Sequence, residues 1–288
     1  MNDDNKNNRQ GKKSKTNQRQ GGKGDTSWID VSAPGKKVSR GHLHPLTQII
    51  DNITEIFSGM GFEVAEGLQI EDEWHNFDAL NVPKDHPARD MQDTFWIKDK
   101  ENNLCLSEKK SKKGEKLLLR THTSPVQIRH MENNNPPMRI IAPGRVFRYE
   151  ATDMTHEAQF YQVEGLMVDK NLNLSNLKAV MEVFFQRFYK SKDIEVRLRP
   201  SYFPFVEPGV EVDIRRGKGL PAGRQGKWLE VVGAGMVHPS VLEGVGLDPR
   251  KYKGFAFGMG LDRLAMLKYK IDDVRLLYSG DLKFIKQF

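Results

Sequence analysis

The chain has 288 residues, 38% of them hydrophobic, and a formal net charge of +7, which is enough apolar material for the core of one large domain or two small ones. A single cysteine, Cys105, excludes a disulfide within the chain and argues against a cysteine-ligated zinc site. No apolar run approaches the roughly 18 residues of a membrane span and the N-terminus is not signal-like, so we expect a cytoplasmic protein with no membrane partner.

Residues 1–40 differ in composition from the remainder. They carry many Lys and Arg residues among Asn, Gln, Gly and Ser, with almost no apolar side chains. Such a segment cannot bury enough surface to offset the entropy lost on ordering, so we predict a disordered basic tail followed by one folded domain over residues 41–288. The tail either attracts polyanions or keeps the chain in solution, and the composition suits both roles.

The first predicted helix follows His44. Its apolar residues recur at helical spacing and form one face, and Gly59 and Gly61 close it. A strand is predicted to begin at Phe62.

The next part of the chain mixes short strands with polar segments. An acidic, proline-bearing stretch over residues 71–93 precedes a strand-like segment at 94–97. The lysine-rich residues 99–116 are predicted to form a solvated hairpin tip, and a strand resumes at 117–120. A hydroxyl residue followed by proline in 121–125 predicts the start of a second helix.

Residues 145–164 are the most informative segment. They are predicted to form two strands joined by a polar loop, and they carry charged or polar side chains that such a pair can direct into one site: Arg148, Glu150, His156, Gln162 and Glu164. Placing these groups on a half-buried sheet is costly because desolvated charges need partners. The segment therefore indicates a binding or catalytic surface.

Residues 174–188 follow with an amphipathic helix whose aromatic side chains share one face, which predicts packing beneath a sheet. Further strands are predicted at 195–199, 210–214 and 228–232, with a Gly/Pro-rich loop at 217–227.

The last unit, residues 254–267, is a glycine-rich strand that turns into a helix. Closely spaced glycines let the backbone approach a ligand, and a helix N-terminus offers amide donors to negative charge. With Arg263 just inside the helix, this unit is a candidate nucleotide site. The helices do not alternate strictly with strands, so an α+β fold on a large antiparallel sheet fits best.

Three pieces of the chain, taken in order, resemble the three motifs of class II aminoacyl-tRNA synthetases: the helix and strand that begin at His44-Pro45, the Arg148-x-Glu150 segment, and the Gly-Met-Gly-Leu-Asp-Arg run that ends at Arg263. Four longer segments, 71–81, 143–148, 199–205 and 254–258, are similar to the α subunits of bacterial-type phenylalanyl-tRNA synthetases. The resemblance covers about residues 28–288, and it implies a class II synthetase-like antiparallel sheet flanked by helices.

The resemblance implies that phenylalanine is activated with ATP to phenylalanyl-adenylate and is then transferred to the 3′ end of tRNA(Phe). This chemistry needs alignment of the reactants and neutralisation of phosphate charge rather than a protein nucleophile. By the resemblance, Arg148 holds the α-phosphate and Arg263 meets the γ-phosphate side. Glu150 and His156 steady the nucleotide and the loop around it.

The resemblance also implies a set of phenylalanine-binding residues. The ammonium and carboxylate groups are expected in a polar cradle, with Trp96 nearby, made of His122, Ser124, Gln162 and Glu164. The substrate ring is expected against Phe203 and Phe205, over a pocket floor at Ala256. Such an apolar pocket rejects an added hydroxyl by only roughly a hundredfold.

The implied partners are a β subunit, in an (αβ)2 heterotetramer, and tRNA(Phe). Glu207 matches a position that shares a Mg2+ ion with the β subunit. Members of the family usually begin with a helical coiled-coil arm that contacts tRNA, whereas the basic tail here has no heptads. We therefore expect tRNA docking to be weaker, or to rely on the tail or on another chain.

Two other classes of protein stay open at this level. One is a synthetase-like paralogue without aminoacylation, which would be expected to lack one of the motif residues that this chain retains. The other is a nucleic-acid-binding protein that acts through its tail, but the ordered part lacks a basic stripe with exposed aromatic residues.

Overall fold

The computed structural model describes residues 40–89, 94–98, 116–216 and 226–288, together with Ser32 and Gly35. The chain divides after Arg40, and every element below belongs to the unit Gly41–Phe288. The predictions for the 1–40 tail, the 99–116 insert and the 217–227 loop fall almost wholly outside the described residues, as does Cys105.

The described strands are Glu63–Val64 (β1), Ile70–Asp72 (β2), Leu117–Leu119 (β3), Met138–Phe147 (β4), Gln159–Asp169 (β5), Ile194–Phe203 (β6), Val206–Arg216 (β7), Leu229–Val237 (β8) and Lys253–Gly260 (β9). The described helices are Pro45–Ser58 (α1), Glu73–Asn76 (α2), Ser124–Asn133 (α3), Leu174–Phe188 (α4), Pro239–Gly244 (α5), Leu261–Tyr269 (α6) and Leu282–Ile285 (α7). Among these described helices, none is long and apolar enough to cross a membrane.

Seven strands form one sheet in the order β1-β4-β5-β9-β8-β7-β6, and β2 pairs with β3 separately. The pair β1–β4 is parallel and the other pairs are antiparallel. The predicted α+β fold with a large sheet flanked by helices is confirmed, and the one parallel pair makes the sheet mixed.

Helix α1 forms where the apolar spacing predicts it. Pro45 occupies the first turn, where a backbone N–H would have no helical partner, and the His44 side chain accepts from Leu46 N at 3.2 Å. The buried face of α1 packs into a core that it shares with α4, where the Phe57 and Phe184 rings stack at 4.8 Å. The aromatic face of α4 is core packing, as predicted.

The alternation of side chains along β5 and β9 separates the two faces of the sheet. Val163 on β5 joins Phe255 and Phe257 on β9 in the core beneath α1 and α4, whereas Leu166 and Ala256 belong to a second core with α3 and α5. Because successive strand residues point to opposite faces, the polar residues at 162 and 164 share the second face with position 256.

Two local predictions were wrong. Strand β4 ends at Phe147, so Arg148 and Glu150 follow the strand rather than lie on it. Beyond the strand end Arg148 N still bonds to Ala158 O at 2.9 Å, while Phe147 N bonds to Arg120 O at 2.9 Å on the other side of the chain. The segment 94–97 makes only an isolated bridge, between Trp96 and Leu118.

Candidate functional site

A cavity of about 700 Å³ opens on the second face of the sheet. Its described lining includes predicted site residues from six parts of the chain: His122, Ser124, Arg148, Glu150, His156, Gln162, Glu164, Phe203, Phe205, Ala256 and Arg263. The fold therefore brings together side chains that lie up to 141 positions apart in the sequence, between His122 and Arg263.

Glu164 is the buried carboxylate of this cavity, with 6% of its surface exposed. It accepts hydrogen bonds from Thr123 N at 3.1 Å, from Ser124 Oγ and from Gln127 Nε2 at 2.9 Å. Burial raises the pKa of Glu164, while the bonds from Ser124 and from Thr123 N and the charges of Arg148 and Arg120 oppose the rise. A carboxylate held in this way can receive a cationic group of a ligand without rearranging.

His122 also lines the cavity. Desolvation lowers the pKa of His122 to about 3, and the positive charges of Arg148 and Arg120 contribute to the decrease. Its Nδ1 atom is buried and has no hydrogen-bond partner in the described structure. The ring is therefore neutral at pH 7, and it can donate or accept a hydrogen bond without adding charge.

The other polar end of the cavity centres on Arg148. Its Nε donates to Thr121 O at 3.1 Å, its Nη1 lies 4.0 Å from Glu150, and its guanidinium lies 5.1 Å from the centre of the Phe160 ring. About a third of the side chain is exposed, so the guanidinium is accessible to an anion in the cavity. Phe160 also lines the cavity and offers a flat apolar surface there.

The loop between β4 and β5 closes over this end. Asp153 accepts from the backbone of Thr155 and His156 and from His156 Nδ1 at 2.9 Å, and Val274 N bonds to Met154 O at 3.0 Å. The loop is thereby tied to itself and to the segment after α6. His156 remains exposed at its tip, on the cavity wall.

Helix α6 starts at the cavity immediately after β9. Its N-cap, Gly260, has no side chain to bond the first amides, and Arg263 lies in the first turn and is exposed to the cavity. Asp262 is buried, accepts from Tyr161 N at 2.7 Å and from the Tyr278 hydroxyl, and burial raises its pKa. These bonds fix the start of α6 against β5.

The apolar end of the cavity contains Phe203 and Phe205, whose rings stack at 6.0 Å with an interplanar angle of 24°. Ala256 lies on the same wall with 9% exposed, and Val237 and Val241 extend the apolar surface. A flat ring of modest length fits such a slot better than a polar group does.

Two predicted residues, Trp96 and Glu207, are not in the described cavity lining. Trp96 packs 6.2 Å from the Phe77 ring, beneath Lys116 Nζ at 5.5 Å. The Glu207 side chain is 74% exposed, and its Oε2 lies 3.1 Å from His238 Nε2. Glu207 offers one accessible carboxylate, so a Mg2+ ion there would draw its other oxygen ligands from water or from another chain.

Sequence reasoning missed other cavity carboxylates, Glu211 on β7 and Glu230 on β8. Arg199 Nη2 lies 2.7 Å from Glu211 and 3.3 Å from Glu230, and Arg199 Nε lies 2.6 Å from the buried Asp213. Carboxylate oxygens are suitable ligands for Mg2+, although Arg199 already neutralises part of their charge. Nothing in the local sequence distinguishes these two from ordinary strand carboxylates.

Gln127 and Phe160 were missed as well. Gln127 lies three residues after Ser124 on α3 and therefore on the same helix face, a spacing that could have identified it. Phe160 faces the cavity near the start of β5.

Three buried polar side chains cluster at α2. Ligand atoms of Glu71, Asp72 and His75 come within 4.8 Å of one another, which is compact enough for a metal ion. Arg129, however, donates to Glu71 at 2.5 Å and to Asp72 at 3.3 Å, so these carboxylates already have a cationic partner. The arrangement is a buried ion-pair network that joins α2 to α3.

Comparisons with known proteins show the family and the fold of the chain. Residues 28–288 match the family model described as the tRNA synthetases class II core domain (F). The phenylalanine–tRNA ligase α subunit of Zymomonas mobilis is 51% identical over 267 residues, which cover 90% of this chain and 71% of the relative. The Bacillus cereus α subunit is 51% identical over 269 residues, covering 91% and 73%. The crystal structure of pyrrolysyl-tRNA synthetase from Desulfitobacterium hafniense shares the fold, with a TM-score of 0.58 and 18% identity over 81% of this chain and 72% of that one.

Proposed function

The chain belongs to the class II aminoacyl-tRNA synthetases and, within them, to the phenylalanine–tRNA ligase α subunits, and we propose that it activates phenylalanine with ATP and transfers it to the 3′ end of tRNA(Phe). The observation that carries this proposal is the composition of the cavity. A buried, donor-held carboxylate and a neutral histidine share one cavity with a pair of aromatic rings and an accessible arginine. A zwitterion with an apolar ring, joined to a phosphate, offers a group to match each of these.

At the amino-acid end, Glu164 receives the ammonium group, because a buried carboxylate gains most from a cationic partner. Gln162 and His122 orient the carboxylate of the substrate, while Ser124 holds Glu164 in place. Phe203 and Phe205 receive the ring over Ala256.

At the nucleotide end, the substrate carboxylate attacks the α-phosphorus of ATP, the bond to the bridging oxygen breaks, and pyrophosphate leaves with the electron pair. Arg148 is placed to stabilise the negative charge on the α-phosphate, whose distribution changes as the bond to the bridging oxygen breaks. Arg263, at the N-terminus of α6, meets the terminal phosphates. Glu150 and His156 steady the nucleotide and its loop. The protein supplies position and charge, and no covalent enzyme intermediate is needed.

Mg2+ is the cofactor of the proposed reaction, and when bound it neutralises phosphate charge. Glu207 would hold an ion shared with a second chain, since its carboxylate is exposed beside His238. Glu211 and Glu230 are the carboxylates placed to meet a Mg2+ ion on the nucleotide itself. The second chain is a β subunit, and the assembly is an (αβ)2 heterotetramer that works in the cytoplasm.

The test is phenylalanine-dependent ATP–pyrophosphate exchange by the chain co-expressed with the β subunit from the same source. Arg148→Ala is expected to lower exchange about 10²-fold or more, since one lost donor to developing charge costs that much. The control is Arg250→Ala, which removes an exposed arginine outside the described lining. Normal exchange by folded Arg148→Ala would contradict the proposal, and no exchange by the folded wild-type pair would favour a paralogue without aminoacylation.

A further inference from the structure

The backbone segment that bonds the Arg148 side chain has hydrogen-bond partners of its own. The segment Arg120–Thr121 follows β3 and runs beside the end of β4, with Phe147 N bonded to Arg120 O at 2.9 Å and Arg120 Nε bonded to Arg145 O at 2.8 Å. One residue further on, Arg148 Nε donates to Thr121 O at 3.1 Å. The direction of the Arg148 side chain therefore depends on where the Thr121 carbonyl lies.

Thr121 is in turn bonded by a side chain on α2. Asn76 Nδ2 donates to Thr121 Oγ1 at 3.1 Å, and Asn76 Oδ1 accepts from Thr121 N at 3.4 Å. Asn76 is completely buried, and Thr121 has 6% of its surface exposed. The primary amide thus bonds Thr121 through both its donor and its acceptor, while Arg148 bonds the carbonyl of the same residue.

Asn76 is fixed by the network behind it. Helix α2 is one turn long and begins at the cap residue Asp72, whose carboxylate accepts from His75 N at 2.8 Å and from Arg129 Nη2 at 3.3 Å. Arg129 also binds Glu71, so the turn is joined to α3 by buried ion pairs. A short helix anchored in this way presents Asn76 in one position.

From these contacts we infer that Asn76 is a positioning residue for the reaction: acting through Thr121, it sets the place of the Arg148 guanidinium at the α-phosphate. The inference rests on the proposed function. A side chain with several rotatable bonds, about a third exposed, is held more closely in one direction when the acceptor of its Nε bond does not move. The amide of Asn76 immobilises that acceptor, so the guanidinium is in place before the nucleotide binds.

The amino-acid cradle does not depend on the side-chain amide of Asn76. Glu164 is held by Thr123 N, Ser124 and Gln127, and the hydrogen bond from His122 goes to the backbone of Asn76, which a substitution of the side chain retains. Loss of the Asn76 amide should therefore change the chemical step while leaving phenylalanine binding nearly intact. A purely structural role would give a different result, namely a lower melting temperature with normal turnover by the folded protein.

The experiment measures ATP–pyrophosphate exchange and the Kd for phenylalanine, by calorimetry, on the full chain with its β subunit. Asn76→Ala is expected to lower kcat about 10²-fold, which is the cost of displacing a catalytic group by about 1 Å. The Kd for phenylalanine should stay within about twofold of wild type, because the contacts that bind the ground state are unchanged. Thr121→Val is expected to behave in the same way, whereas Thr121→Ser keeps the hydroxyl and should stay near wild-type turnover. The stability control is Ile53→Val, which removes one buried methyl group from α1.

If Asn76→Ala does not fold, Thr121→Val carries the test, since it exchanges one hydroxyl for a methyl group of similar size. Wild-type kcat in a folded form of either variant would overturn the inference, as would a raised Kd for phenylalanine with unchanged kcat. If the wild-type complex shows no exchange, the proposed function itself fails, and this inference fails with it.

Discussion

Glu164 and Gly258 lie opposite each other in the β5–β9 ladder, and a β carbon at position 258 would come within 3.1 Å of Glu164 Cγ. The buried carboxylate thus rests against a backbone that has no side chain at this point. The glycine-rich character of β9 has a direct use here, because it leaves the volume that the carboxylate occupies.

Gly258→Ala is expected to displace the Glu164 side chain by a few tenths of an ångström. Because Thr123, Ser124 and Gln127 bond the carboxylate at defined places, the shift weakens the ammonium site, and we expect the KM for phenylalanine to rise about tenfold, or 1.4 kcal/mol. Exchange kinetics measure this. The control is Gly244→Ala, where the added β carbon would meet nothing within 4 Å; equal effects of the two changes would contradict the prediction.

Glu164→Gln keeps the size of the side chain and removes its charge. A charge-assisted bond to a ligand ammonium is worth about 1.5–3 kcal/mol, so we expect kcat/KM for phenylalanine to fall about 10- to 150-fold. The exposed Glu243→Gln on α5 is the matched control. Should the two variants have the same kcat/KM, the ammonium group is bound elsewhere.

Tyr278→Phe removes a hydroxyl that donates to the buried Asp262. Burial raises the pKa of Asp262, and the hydrogen bond from the hydroxyl opposes this rise because it stabilises the charged form. Loss of the hydroxyl is therefore expected to raise the pKa further. The charged form predominates at higher pH; the variant should therefore lose about 1–3 kcal/mol of folding free energy at pH 8 and less at pH 5. Urea denaturation at both pH values measures this, with Tyr252→Phe as the control, and a pH-independent loss would contradict it.

The neutral His122 should make stability depend on pH. Its pKa is lowered from 6.5 to about 3, so the unfolded chain binds a proton that the folded chain rejects. Between these values stability rises with pH, by up to about 1.4 kcal/mol per pH unit for this one group. Glu164, whose pKa is raised, has the opposite effect above pH 4.5, where its contribution to stability falls as the pH rises.

His122→Gln separates the contribution of the histidine to the pH dependence of stability from that of Glu164. Urea denaturation at pH 4.5, 5.5 and 7.5 should show a smaller decrease in stability for the variant than for wild type as the pH falls. Parallel curves for the two proteins would mean that His122 accepts a proton in the folded state as readily as in the unfolded chain.

Much of the architecture could be read from local patterns. The helical spacing in α1 and α4, the proline after Ser124 and the glycine-rich end of β9 each predict an element that the structure contains. Strand ends were less predictable. At the end of β4, Phe147 N bonds to Arg120 O, and a contact between residues 27 positions apart leaves no periodic signal.

The residues of the site also divide into those that the sequence could identify and those that it could not. Arg148, Glu164 and Arg263 belong to motif segments and could be named from the sequence, and the structure places all three on the cavity wall. Glu211 and Glu230 could not, because a carboxylate on an exposed strand face has the same local pattern whether it meets solvent or a cavity.

By itself the sequence determined the order of the elements, because these follow from short-range periodicity and turn residues, and the resemblance of its motif segments to known synthetases identified the family and the motif side chains. Only the tertiary structure decided which partners complete the site. Asn76 and Thr121 lie 45 positions apart, and Thr121 and Arg148 another 27, and their bonds exist because separate elements pack around one buried segment. Hydrogen-bond donors and acceptors find partners through space, and the nearest atom in space is seldom the nearest in the chain.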